Sequence, residues 1–177
     1  DKVDVGAYYA GFNLGYKFTA PFKAELGFEY LSGKDQNDTD TKVKSFTPLF
    51  GTNHGFNGLM DYFYVGNHKN SVGLQDIYTK FIFDKNKWQV TLSPHLFYSA
   101  ASVYNMTTLE EQDNYLGTEI DLTATYKLDK NFVISGGVSK MFASDTMEVL
   151  KGGNNNNCNN WAWVMVSFNP QLFTYKK

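Results

Sequence analysis

Residues 6–33 read GAYYAGFNLGYKFTAPFKAELGFEYLSG, two alternating runs joined by a tight turn. In the first run the even positions Tyr8, Ala10, Phe12, Leu14, Tyr16 and Phe18 are apolar, while Tyr9, Gly11, Asn13, Gly15 and Lys17 are small or polar. In the second, Phe22, Ala24, Leu26, Phe28 and Tyr30 alternate with Lys23, Glu25, Gly27 and Glu29. Successive side chains of a strand point to opposite faces, so a period of two gathers each set on one face. The turn between them, at 19–21, carries a proline, which presets the backbone for a tight reversal.

The pattern recurs along the chain. At 74–83, Ile77, Thr79, Phe81 and Phe83 oppose Asp76, Tyr78, Lys80 and Ile82. At 88–99, Trp88, Val90, Leu92, Pro94, Leu96 and Tyr98 oppose Gln89, Thr91, Ser93, His95, Phe97 and Ser99. At 115–127, Leu116, Thr118, Ile120, Leu122, Ala124 and Tyr126 oppose Gly117, Glu119, Asp121, Thr123, Thr125 and Lys127. At 132–142, Phe132, Ile134, Gly136 and Val138 alternate with Val133, Ser135, Gly137 and Ser139. A last run at 161–168, WAWVMVSF, is apolar on both faces and leaves its register open.

Connections alternate strictly between short ones (19–21, 84–87, 128–131) and long polar ones (34–71, about 103–114, about 144–160). Transmembrane barrels have this signature, with tight periplasmic turns and longer extracellular loops. The runs also approach the roughly 9–11 residues that a tilted membrane strand needs, longer than the usual globular strand of about 5–6. Apolar faces end in aromatics (Tyr8 and Phe18, Phe22 and Tyr30, Trp88 and Tyr98, Tyr126, Trp161) with aliphatics between, as in interfacial girdles. The expected fold is therefore all-β: an antiparallel, up-and-down transmembrane β-barrel. A soluble sandwich or lipocalin-like barrel would also alternate, with the apolar face turned inward, but gives no reason for the loop asymmetry.

Composition agrees with a β protein. Charged residues are 19% and aromatics 17% of 177 residues, with 15 glycines. A formal net charge of −2 gives no electrostatic case for nucleic-acid binding. All 16 basic residues are lysine. The single cysteine, Cys158, excludes an intrachain disulfide framework and reads as a surface thiol in the polar run NNNNCNN. Mean hydropathy is −0.39, a value that a soluble protein and an alternating barrel share. No apolar run is long enough for a transmembrane helix.

The chain opens almost at once on a strand pattern, and the expectation is a mature product or a fragment of something longer. The last strand follows a long loop and so descends to the periplasm, which puts the first strand's start outside. Seven such strands break the even parity of bacterial barrels. Either 60–66, MDYFYVG, forms an eighth strand, or residues 1–177 are the C-terminal part of a larger barrel; the abrupt start favours the second.

The stretches SFTPLFGTNHGFNGLMDYFYV (45–65), GLQDIYTKFIF (73–83), WQVTLSPHLF (88–97) and WAWVMVSFNP (161–170) resemble the C-terminal half of the alginate-export outer-membrane porin family, more narrowly its Bacteroidetes-type members. The matching features are Phe46, Pro48, Leu49, Phe50 and Gly51, then His54, Phe56 and Gly58, then Met60, Asp61, Tyr62 and Phe63, then Gly73, Leu74 and Asp76. The resemblance implies a monomeric barrel of about 18 strands, set in outer-membrane lipid and lipopolysaccharide, that passes solute by diffusion past inward-folded loops. Solutes so implied are small and hydrophilic or saccharide-like, uronate oligosaccharides among them. Family members line their pores with arginine and lysine, and this chain departs from that in having no arginine.

The polar faces supply the candidate lumen-lining residues: Lys17, Lys23, Lys80 and Lys127 against Glu25, Glu29, Asp76, Glu119 and Asp121, with His95. Mixed charge of this kind pairs across strands and suits a pore wall. Enzyme chemistry finds little support, since Ser93 and His95 share a face but no third orienting group is evident. No cofactor is expected. His54, Asp61 and His68 match no compact zinc pattern, and Asp35, Asp38 and Asp40 lack the EF-hand spacing.

One stretch fits neither strand nor plain loop: NHGFNGLMDYFYVG at 53–66, inside the connection 34–71. With Phe46 and Phe50 it gathers more apolar area than a solvated loop leaves uncovered. Its glycines permit close backbone turns. The expectation is a constriction folded onto the barrel mouth or into the lumen, built from His54, Asp61, Tyr62 and Phe63, with His54 and Asp61 meeting the solute. An outer-membrane channel is the leading functional expectation, and a structural or adhesive barrel working through its long loops is the alternative.

Overall fold

The computed structural model describes residues 2–51 and 54–175; Asn53, the first residue of the constriction stretch, lies outside the described residues. Seven strands form one antiparallel sheet in chain order: β1 (Tyr9–Lys17), β2 (Phe22–Leu31), β3 (Leu74–Lys85), β4 (Trp88–Tyr98), β5 (Tyr115–Lys127), β6 (Phe132–Ala143) and β7 (Asn159–Phe168). Each strand pairs only with its neighbours in sequence, and the sheet is not closed. Strict up-and-down order puts the three short turns at one end of the sheet and the three long connections at the other. Among the described residues no helix is long and apolar enough to cross a membrane, which says nothing of a β-barrel.

The segment 60–66 is not an eighth strand. It runs through bends into a short 3-10 turn, Val65–Asn67, because Asp61 takes a left-handed backbone angle (φ 58) that breaks the extended run. The connection before β7 carries a helix that alternation does not signal, α1 (Asp145–Lys151). Ser144 caps it, its side chain accepting from the Met147 N–H, and Asp145 complements the helix dipole in the first turn.

The two faces of the sheet differ sharply in exposure. Large apolar side chains stand open on one: Phe12 is 57% exposed, Leu14 67%, Val138 52% and Val164 80%. Polar side chains are covered on the other: Glu119 is 0% exposed, Asp76 1% and Asp121 2%. The cover is the connection between β2 and β3, which folds back across the polar face. Its anchor is an apolar plug at the long-loop end, where Phe63 packs on Phe97 (ring centroids 4.7 Å apart) among Leu31, Leu74, Leu116, Met141 and Met147. Phe46, Met60 and Tyr62 pack around it. Burying one such aromatic stabilises by about 2–3 kcal/mol.

Two sequence expectations need correcting. Leu116 belongs to this plug, not to the exposed apolar face. The β4–β5 register shifts at Phe97/Tyr98, and Gly117 opposite takes φ 150, so strict alternation fails there. Trp161 does not end the apolar face either. It pairs with Ser139 on the covered side, and its ring meets His54 at 5.5 Å.

Candidate functional site

Strand register builds a belt of acids on the polar face. Glu29 pairs with Asp76, Ser93 with Asp121, and His95 with Glu119. A diagonal offset of two residues brings the Asp76 carboxylate to His95 Nδ1 at 3.0 Å, leaving His95 Nε2 facing Asp121 Oδ2 at 3.9 Å. Ser139 donates to Asp121 from β6. The His95 ring is stacked between Tyr78 and Phe97 (5.3 and 5.6 Å), which fixes its plane. Tyr78 in turn lies flat over Gly27, where a Cβ would stand 2.1 Å from the ring, so only glycine admits it.

The overlying loop is held to this belt by hydrogen bonds from above. Asn57 Nδ2 donates to Glu29 Oε2 (2.9 Å) and Asp76 Oδ2 (3.1 Å). The backbone N–H groups of Leu59 and Met60 both donate to Glu119 Oε1 (2.6 and 2.9 Å). Between loop and sheet lies a partly open cavity of about 430 Å³. Glu25, Glu29, Asp76, Lys80, His95 and Asp121 line its floor and Gly55, Phe56, Gly58 and Leu59 its roof.

Of the candidate wall residues, six therefore share one cavity. Glu119 lies directly beneath the loop as its backbone acceptor. Lys17, Lys23 and Lys127 stand apart toward the short turns: Lys17 pairs directly with Lys23, and Lys23 reaches Asp84 at 3.8 Å. Charge on the wall is mixed, with Glu25 directly opposite Lys80, while Lys17, Lys23 and Lys127 gather toward the turns and Glu29, Asp76, Glu119 and Asp121 toward the long loops.

Within the constriction stretch, the roles differ from expectation. His54 and Asp61 bind each other (Nδ1 to Oδ2 2.8 Å) at the exposed rim. Phe63 is buried in the plug and meets no open space, and Tyr62 is half-buried beside it. Asn57 is the loop residue whose side chain reaches the acid belt, and an asparagine between Phe56 and Gly58 carries no sequence signal for that role. His68 is buried behind the loop, bonded to the Phe63 carbonyl (3.0 Å); burial holds its imidazole below the usual pKa, the nearby Lys151 adding to the effect.

The three acids at 35–40 serve local structure. Asp38 and Asp40 hold Lys44 (2.6 and 3.4 Å), whose ammonium lowers the Asp38 carboxyl, and Asp35 accepts the Ser102 N–H. Among the described residues no three His, Cys, Asp or Glu side chains converge as a metal site. Cys158 is exposed. Asp76 orients His95 as a triad acid would, a third group the sequence did not disclose. The other ring nitrogen of that imidazole faces Asp121 Oδ2 at 3.9 Å.

No protein-family model matches the chain, and no curated protein matches it.

Proposed function

We propose that this sheet is part of the wall of an outer-membrane β-barrel, and that the protein is a channel for diffusion of small hydrophilic solutes, saccharides included. The observation that carries the reading is the inverted arrangement of the sheet: aliphatic and aromatic side chains stand open on every strand's outer face, while acids and histidine lie covered. In water that open face would be a very large unprotected patch; in a bilayer it meets acyl chains, and lipopolysaccharide at the aromatic rim. The long strands and the segregation of short turns from long connections support the same reading.

The covering loop then narrows the passage, with the cavity beneath it as the solute path. No step of bond chemistry is assigned, and no cofactor is invoked. An adhesive or structural barrel, the other reading, would leave the acid belt and its cavity without a use. Purified full-length protein added to a planar bilayer is expected to give discrete current steps, and unboiled samples should migrate as a compact band on SDS gels. A water-soluble protein that gives no steps and migrates alike boiled and unboiled overturns the proposal.

A further inference from the structure

The cavity beneath the loop also has a sign. Its floor sets four carboxylates, Glu25, Glu29, Asp76 and Asp121, against one ammonium, Lys80, and the imidazole of His95. Lys80 stands over the Tyr78 ring (5.2 Å from its centroid), and His95 is committed to Asp76. Hydrogen-bond accounting gives the same imbalance independently of charge. Asn57 spends its amide N–H groups on Glu29 and Asp76, leaving its own Oδ1 buried with no donor; Glu119 Oε2 is likewise buried without one. Both acceptors lie at the loop–belt seam behind the cavity wall, so they add negative potential to the cavity without meeting the solute themselves.

We propose that this constriction passes cationic solutes in preference to anionic ones, and so discriminates against polyanions such as uronate oligomers. The inference rests on the channel reading above and adds the class of solute to it. A cleft walled by one sign of charge and low-dielectric protein concentrates the opposite ion. The acids converge on no single chelating point. A cation is therefore drawn in without being trapped, which conduction requires.

The test is a zero-current potential measured on the full-length protein in a planar bilayer under a KCl gradient. Potassium is expected to be on the order of tenfold more permeant than chloride at low salt, the ratio falling as salt screens the wall. Glu25→Gln removes a carboxylate that makes no hydrogen bond among the described residues, so the fold is spared, and the ratio should drop by roughly half. Lys80→Gln should raise it. A wild-type channel that is unselective or prefers chloride overturns this inference and leaves the channel reading intact, as does a ratio that neither variant moves. Absence of current steps overturns both.

Discussion

Gly58 lies so close to the Glu119 carboxylate that a Cβ on it would stand 2.6 Å from Oε1 and 2.8 Å from Oε2. The loop touches the acid belt through bare backbone, and its φ of +78 is one that side chains resist. Gly58→Ala should therefore destabilise by about 2 kcal/mol or more. Gly153→Ala is the matched control, since Gly153 also has positive φ (+96) but nothing within 4 Å. Denaturant unfolding in detergent, followed by tryptophan fluorescence, should place Gly58→Ala well below Gly153→Ala; equal losses would mean that backbone strain alone matters.

Phe63 anchors the loop by packing, and its loss leaves a cavity against Phe97. Phe63→Ala should cost about 3–5 kcal/mol and widen the conductance distribution as the loop detaches. A truncation that weakens stability but leaves conductance unchanged would separate the plug from the constriction.

Asn57 and Glu29 form the hydrogen bond most open to a coupling measurement. Asn57→Ala strips Glu29 and Asp76 of a shared buried donor, at about 1–3 kcal/mol. In a double-mutant cycle with Glu29→Gln, a coupling of about 1 kcal/mol is expected. Strict additivity would show the two residues to be energetically independent.

His68 makes loop stability depend on pH in a fixed direction. Its folded pKa is depressed by burial, so above roughly pH 6.5 the imidazole is neutral in both states and the loop keeps its full stability. Below that, the unfolded chain takes up a proton that the folded chain refuses, and stability falls until the folded pKa is passed. Amide protection factors in 60–71, taken relative to the intrinsic exchange rate at each pH, should fall as pH drops from about 7.5 to about 5.5, and His68→Gln should flatten that dependence.

Adjacent residues on β5 distinguish lipid from water. Leu122 points outward and Thr123 lines the cavity. Leu122→Lys should cost about 2–4 kcal/mol in a bilayer and impair membrane assembly, while Thr123→Lys assembles normally and shifts ion selectivity toward chloride. If Leu122→Lys folds as well as wild type, the outer face meets water.

The strands were legible because each repeats a period of two long enough to outweigh local exceptions, and their order followed from loop lengths alone. Where that logic failed, a local feature overrode it. The bulge at Phe97/Tyr98 with Gly117 turned Leu116 inward. The run from Trp161 to Phe168, apolar on both sides, offered no polar position to fix its register. Helix α1 did announce itself, through Ser144, Asp145 and Gly152, but within a polar stretch read as loop. The acid belt was half legible: alternation placed every acid on one face, but only strand register could show Asp76 meeting His95. Asn57 was beyond reach, because its partners lie 28 and 19 residues away in sequence.

The length of the β2–β3 connection bears on how the sheet assembles. Leu31 pairs with Leu74, so this junction must close a loop spanning 32–73, whereas β1–β2, β3–β4 and β5–β6 close over a few residues. The longer closure loses roughly 2 kcal/mol more chain entropy. The register of β2 on β3 should therefore be the late event in folding, with the other hairpins already formed. Asn57, Leu59, Met60 and Phe63 lie within that same loop, and their hydrogen bonds to β2, β3 and β5 and ring packing on β4 offset the closure entropy. The segment that narrows the passage is thus also the clasp that sets two preformed hairpins in register, and shortening it should speed assembly while widening the pore.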